Sequence, residues 1–193
     1  MIQQPILSVA LKEWAVTIEA LAYGKQTFLM RKGGIHEETK EFQLLEEVFY
    51  LFPTYLHQKK ELIKPEYQDM LDHTLKNFDS GQNTVDIHFL AKVVEDLTIA
   101  NEDELKKIEL LHIWTNDFAE MKLHWRKQNP IHLLLVRVYQ LENPVQVTLR
   151  DEYNGCKSWI TLEDPIPKTK LHPVMTDSLF EQEVQKLKQM LNS

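Results

Sequence analysis

The sequence predicts an α+β domain with a curved, barrel-like mixed sheet and helices packed outside it, on three observations. Residues 131–141, IHLLLVRVYQL, are apolar on both alternating sets, the pattern of a central strand covered on both faces. Residues 65–78 place Tyr67, Met70, Leu71, Thr74, Leu75 and Phe78 at helical spacing on one face. Residues 178–191 repeat that spacing with Phe180, Val184, Leu187 and Leu191.

The elements follow in order. Residues 14–22, WAVTIEALA, alternate Val16 and Ile18 with Thr17 and Glu19 and read as a strand. A turn at Tyr23-Gly24-Lys25 leads to a returning strand over 26–32, making a hairpin that Gly33-Gly34 ends. Residues 36–47 fit helix and loop equally. Residues 48–52 are a short strand stopped by Pro53. Pro65 suits the first turn of the 65–78 helix, and Asp79-Ser80-Gly81 ends it. Residues 84–95 read as a strand whose second half also fits a helix. Asn101 caps an acidic first turn, Glu102-Asp103-Glu104, and Thr115-Asn116-Asp117 marks a break before the helical stretch resumes through Phe118, Met121 and Trp125. Further strands are expected at 145–149 and 156–162. The segment 164–176, with Pro165, Pro167 and Pro173, reads as a surface linker to a helix opened by a Ser178–Glu181 capping box.

The whole chain, 1–193, is expected to form one domain, since a core of this size buries roughly 70% of the unfolded surface. An apolar fraction of 43% and a charged fraction of 26% are ordinary for a globular protein. No apolar run approaches the length of a membrane span, and MIQQPILSVALKEW lacks the basic and apolar regions of a signal peptide. With the single cysteine, Cys156, these features point to a reducing cytoplasm. The net charge is −7, with the acid excess in the middle third, which argues against a general nucleic-acid coat protein but leaves room for a local basic pocket. The sequence does not specify an oligomeric state.

Several residues could carry chemistry. Arg31-Lys32-Gly33-Gly34 joins two cations to two glycines, whose backbone N–H groups could converge as an anion nest; a plain hairpin exit with solvated cations is the bland alternative. Thr54, His57 and Gln58 cluster just past a buried strand, where sites commonly sit, although His57 and Gln58 could equally cap backbone groups. His112 could act as base or ligand, or be a hydrogen-bonded core residue. Arg137, inside an apolar strand, must either pair with a carboxylate such as Glu13 or Glu19 or face a ligand. Cys156 alternates with Ser158, Ile160 and Leu162 and is expected to point inward as a small hydrophobe. The histidines form no HExxH and no Cys-paired spacing, so no metal and no cofactor are expected. A Nudix-type box fails because Gly34 and Phe42-Gln43 occupy its acidic and Arg-Glu positions. The nuclease tripeptide Glu-x-Lys occurs at 38–40 and 104–106, but outside strands.

Taken in order, ALKEW (10–14), RKGGI (31–35), FPTYLHQ (52–58), HIWT (112–115), LLLVRVYQL (133–141) and GCKSW (155–159) resemble a bacterial family of cytoplasmic proteins known as a domain of unknown function. That resemblance implies an association with restriction-endonuclease-like domains and so with defence against foreign nucleic acid. A second resemblance is to PUA-like and ASCH small barrels, with Gly24 and Arg31 matching and Gln26 and Leu29 replacing the expected Lys and Glu. The resulting expectation is a nucleotide- or nucleic-acid-binding module. Its ligand-binding residues are Arg31, Lys32, Gly33, Gly34, Thr54, His57, Gln58, His112 and Arg137, with Trp14, Tyr55, Trp114 or Trp159 as stacking partners. The alternatives are a phosphoester hydrolase with His57 or His112 as general base, and a protein-interaction domain without a small-molecule site.

Overall fold

The computed structural model describes residues 8–32, 42–76, 78–124, 130–155 and 157–193. Gly33, Gly34 and Cys156, and with them the anion nest and the inward thiol, lie outside the described residues.

The architecture is the expected α+β one: the described residues form seven strands in a mixed sheet that does not close among them, with five α-helices. Two long strands form its spine. β4 (Thr84–Ile99) and β5 (Ile131–Thr148) pair antiparallel from Thr84↔Thr148 to Ile99↔Ile131, with irregularities between Ile87 and Phe89 and between Val93 and Glu95 that bend the ladder. β5 is buried on both faces, as its doubly apolar pattern requires: Leu133 and Leu135 enter one core, and Leu134, Val136 and Val138 another. Residues 145–148 continue this strand and do not form the separate one expected.

β3 (Val48–Thr54) lies antiparallel to β4, and β1 (Val9–Trp14) lies parallel to β3, so that Trp14 and Thr54 end side by side. Pro53 does not stop β3. Pairing with β4 ends at Tyr50, so the missing N–H of Pro53 leaves no ladder bond broken there. β6 (Trp159–Thr161) pairs antiparallel with the outer edge of β1. At the other edge, β2 (Phe28–Arg31) and β7 (Leu171–Pro173) pair with successive stretches of β5. The expected surface linker over 164–176 therefore contains a sheet strand.

The hairpin expected from residue 14 onward is replaced by α1 (Ala15–Ala22). Here the alternation misleads because the helix is buried almost all round. Val16 and Ala20, one turn apart, enter the helical core, while Ile18 and Leu21 enter the core inside the sheet. A helix wedged between two cores loses the polar face that would have revealed its period. Gly24, at φ +64°, ends it: the Lys25 N–H reaches the Ala20 carbonyl at 2.8 Å and the Gly24 N–H that of Leu21 at 3.1 Å, a Schellman arrangement.

The remaining helices cover the β2–β5 side. Pro65 opens a single tight turn that leads into α2 (Gln68–Lys76). Asn101 caps α3 (Glu102–Lys107) by accepting the Glu104 N–H at 2.9 Å. After the break expected near Thr115, α4 (Asn116–His124) begins with the Phe118 N–H donating to the Thr115 hydroxyl. α5 (Asp177–Asn192) is capped by Thr176, whose hydroxyl accepts the Leu179 N–H at 3.2 Å, so the cap lies two residues before the expected Ser178.

Arg137 fastens α5 to the sheet. Its guanidinium donates to the carbonyls of Met175 and Thr176, forms a 2.7 Å ion pair with Asp177, and lies over the Phe180 ring at 4.9 Å. The partner is thus neither Glu13 nor Glu19. Arg137 is 5% exposed, whereas the Asp177 side chain is 90% exposed, so removing the cation should do far more harm than removing the anion. Arg137→Met is expected to lower unfolding free energy by about 3 kcal/mol, and Asp177→Asn by less than about 1 kcal/mol. Urea denaturation of both variants checks the ordering.

Candidate functional site

β1 and β3 run parallel and end together, and α1 starts at once from β1, so the strand ends and a helix N-terminus meet at one corner. Four of the expected residues, Arg31, Lys32, Thr54 and Gln58, converge on that corner. The Thr54 hydroxyl donates to the Glu13 carbonyl at 3.1 Å. The Gln58 side-chain carbonyl accepts the Val16 N–H at 3.0 Å, in the first turn of α1. Arg31 arrives from β2 and donates to the Lys12 carbonyl at 3.3 Å and to the Glu13 carboxylate at 3.0 Å. The other Glu13 oxygen accepts the Trp14 N–H at 2.8 Å.

α4 closes the corner from the helical side. The Lys32 ammonium donates to the Leu123 carbonyl in the last turn of α4, where the helix dipole favours a cation. Burial lowers its pKa. Lys122, one turn beyond Phe118, points its ammonium over that ring at 5.7 Å and has no hydrogen bond or ion pair among the described residues. Burial pushes the Lys122 pKa down from 10.5 to about 8; the Glu13 carboxylate opposes this and the Arg31 charge adds to it. Arg31 and Lys122 therefore share one carboxylate, Glu13, while Lys32 is held by the Leu123 carbonyl.

An aromatic pile adjoins the charges. Trp14 stacks on Phe118 with centroids 5.6 Å apart, and the Trp114 ring meets Trp14 edge-on at 5.1 Å and Phe118 at 4.8 Å. Trp14 and Phe118 are half-buried and Trp114 is buried. The other two expected stacking residues serve elsewhere: Tyr55 stacks on Phe78 at 4.6 Å, and Trp159 donates to the Gln43 carbonyl and packs on Phe49.

The remaining expected residues are not brought to this corner. Arg137 belongs to the α5 anchor. His57 is exposed in the loop after β3 with φ 66°, an uncommon backbone for a non-glycine residue. His112 lies deep in the helical layer, 1% exposed, with Phe28 edge-on at 6.4 Å. Among the described residues neither of its ring nitrogens makes a well-formed hydrogen bond. Burial first, then the Lys64 ammonium, lowers its pKa to about 3, against a small opposing effect of the Trp114 backbone. Lys64 itself donates to the His112 carbonyl at 2.7 Å. So weak a base stays neutral at physiological pH and is poorly matched to general-base work. Among the described residues, no group of three or more His, Cys, Asp or Glu gathers closely enough to hold a metal ion.

Residues 10–186 match the family described as a domain of unknown function, DUF1802. The chain belongs to this family. No curated protein and no solved structure matches it. The DUF1802 match takes in every residue of the corner, from Glu13 to Lys122. No helix among the described residues is long and apolar enough to cross a membrane.

Sequence reasoning alone did not single out Lys122 or Phe118 and considered Glu13 only as a partner for Arg137. The available signal was Lys122 one helical turn after Phe118, on the stripe otherwise formed by Phe118, Met121 and Trp125.

Two pH effects follow. Folding weakens the hold of Lys122 on its proton, so its charge costs stability below pH 8, and the cost fades as the pH rises from 8 toward 10.5. Lys122→Met should therefore stabilise the ligand-free protein at pH 7, on the order of 1–3 kcal/mol, with the gain shrinking as the medium becomes more alkaline. His112 acts in the acid range. Its folded pKa of about 3 lies below the ordinary 6.5, so stability is lost as the pH falls from 6.5 toward 3. His112→Phe should flatten that acid limb. Thermal melts across the two ranges measure both effects.

Proposed function

We propose that this DUF1802 domain binds a phosphate-bearing ligand, a nucleotide or the end of a nucleic acid, at the corner formed by β1, α1, β3 and α4. The observation that carries the reading is the Lys122 ammonium: half-buried, without an acceptor among the described residues, close to Arg31, whose one carboxylate partner is Glu13, and next to Leu123, whose carbonyl holds Lys32. Burying an unpaired cation costs free energy that a phosphate oxygen would recover as charge-assisted hydrogen bonds. The start of α1 adds a favourable dipole for an anion. The pile of Trp14, Phe118 and Trp114 supports a planar base next to the charges. The acidic net charge favours a local site over a coating surface.

A phosphoryl-transfer reaction is less well supported, because His112 lies away from the corner and is held neutral. A link to defence against foreign nucleic acid would follow if the bound phosphate belongs to DNA or RNA.

Titration with mono- and triphosphate nucleotides and with short single-stranded oligonucleotides, followed by tryptophan fluorescence, tests the proposal. Binding should quench Trp14 and weaken with added salt, and Lys122→Met should weaken it about tenfold, the loss of one charge-assisted hydrogen bond. Quenching that is indifferent to Lys122→Met, or absent with every phosphate ligand, would refute the proposal.

A further inference from the structure

The helical layer contains a second feature that the corner does not use. A cavity of about 130 Å³ opens between α3 and α4, lined by Glu102, Leu105, Lys106, His112, Asn116, Ala119 and Glu120. Leu105, His112 and Ala119 form its buried floor, and the charged residues stand exposed around the rim. A single water fills only roughly 10–15 Å³ of such space, so the cavity admits an organic ring.

His112 makes the cavity more than a packing gap. It is 1% exposed, and among the described residues neither ring nitrogen makes a well-formed hydrogen bond, the Trp114 backbone acting on the ring only weakly. Buried polar groups without hydrogen bonds are rare because each costs free energy, and a group of this kind at the bottom of a cavity marks the place of a ligand. The chemistry of the lining narrows its class. The imidazole is neutral and offers one donor and one acceptor. At the rim, the carboxylates of Glu102 and Glu120 outnumber the ammonium of Lys106, which disfavours an anion. Glu102 already binds His124 at 2.7 Å, and Asn116 donates to Glu109 at 2.9 Å, which leaves Glu120 as the carboxylate with the most free capacity for a ligand N–H. Leu105 and Ala119 present apolar walls from the two helices.

We propose that this cavity binds an uncharged amino-substituted aromatic heterocycle of nucleobase size. The ring lies between Leu105 and Ala119, a ring nitrogen or N–H meets His112, and the exocyclic amine donates to Glu120. The site is distinct from the phosphate corner and does not depend on it, since the ligand carries no phosphate.

The test uses the full chain with adenine and cytosine as probes, and purine and benzene as analogues without the amine. Binding is read from the His112 ring nitrogen resonances and from isothermal titration. Adenine or cytosine should bind one to one and shift the His112 signals, and purine should bind at least tenfold more weakly. His112→Phe should weaken adenine binding more than tenfold while the protein stays folded. Ala119→Leu, which fills the cavity without touching a polar group, should abolish binding and raise the melting temperature. Lys122→Met should leave adenine binding unchanged. The proposal is overturned if no probe perturbs His112 at millimolar concentration, if adenine binds His112→Phe as well as the parent protein, or if soaked crystals show ordered water alone against the imidazole.

Discussion

A ladder that runs from Thr84↔Thr148 to Ile99↔Ile131 leaves β4 and β5 no freedom of register. Leu133 and Leu135 belong to the helical core and Leu134, Val136 and Val138 to the core inside the sheet, so a slip by one residue would exchange the two sets. Everything else hangs from this pair. β3 carries the ladder on to β1 at one side, and β2 and β7 share the free edge of β5 at the other.

The same pair explains why α3 and α4 lie where they do. Residues 100–130 leave β4 at Ile99 and must return to β5 at Ile131, two positions that face each other across the ladder. Residues 100–124 therefore fold back as a helical flap over the β2 side, their apolar residues Leu105, Ile108, Ala119 and Leu123 packed in one core with Phe28, Met30 and Leu133. That return places Lys122 and Leu123 beside Arg31 and Lys32, which are more than ninety residues away in sequence, and Trp114 against Trp14. Both candidate sites lie on this flap: the corner proposed to bind phosphate at the end of α4 and the His112 cavity at its beginning.

The buried polar groups divide by how well they are satisfied. Arg137 is fully engaged by two carbonyls and a carboxylate, as a structural cation must be. Glu13 is likewise engaged, by Arg31 and its neighbouring N–H. Lys122 and His112 are not, and each sits where a ligand can reach it. Stability alone would favour methionine and phenylalanine at these positions, and the two proposed sites would give these polar groups a role in binding.

The sequence by itself determined the class of the fold and the elements whose burial is one-sided or whose ends carry a chemical stop. The period of α2, the Asn101 cap, the break before α4 and the double burial of β5 were all legible, because each is set by neighbours within a few residues. So was part of the corner, since Arg31, Thr54 and Gln58 are polar groups at strand ends. Tertiary structure decided the rest. α1 was misread as a strand because two cores bury it on opposite sides, leaving no polar face to show its period, while the one local clue, Gly24 as a helix stop, passed for a hairpin turn. The segment around β7 looked like a linker because a three-residue strand takes its order from the edge of β5 rather than from its own composition. The partners of Arg137 and of Arg31, the joining of Lys122 to the corner and the isolation of His112 are contacts between residues dozens of positions apart. Such pairs are chosen by the register of the sheet and the path of the flap, which no local pattern of residues encodes.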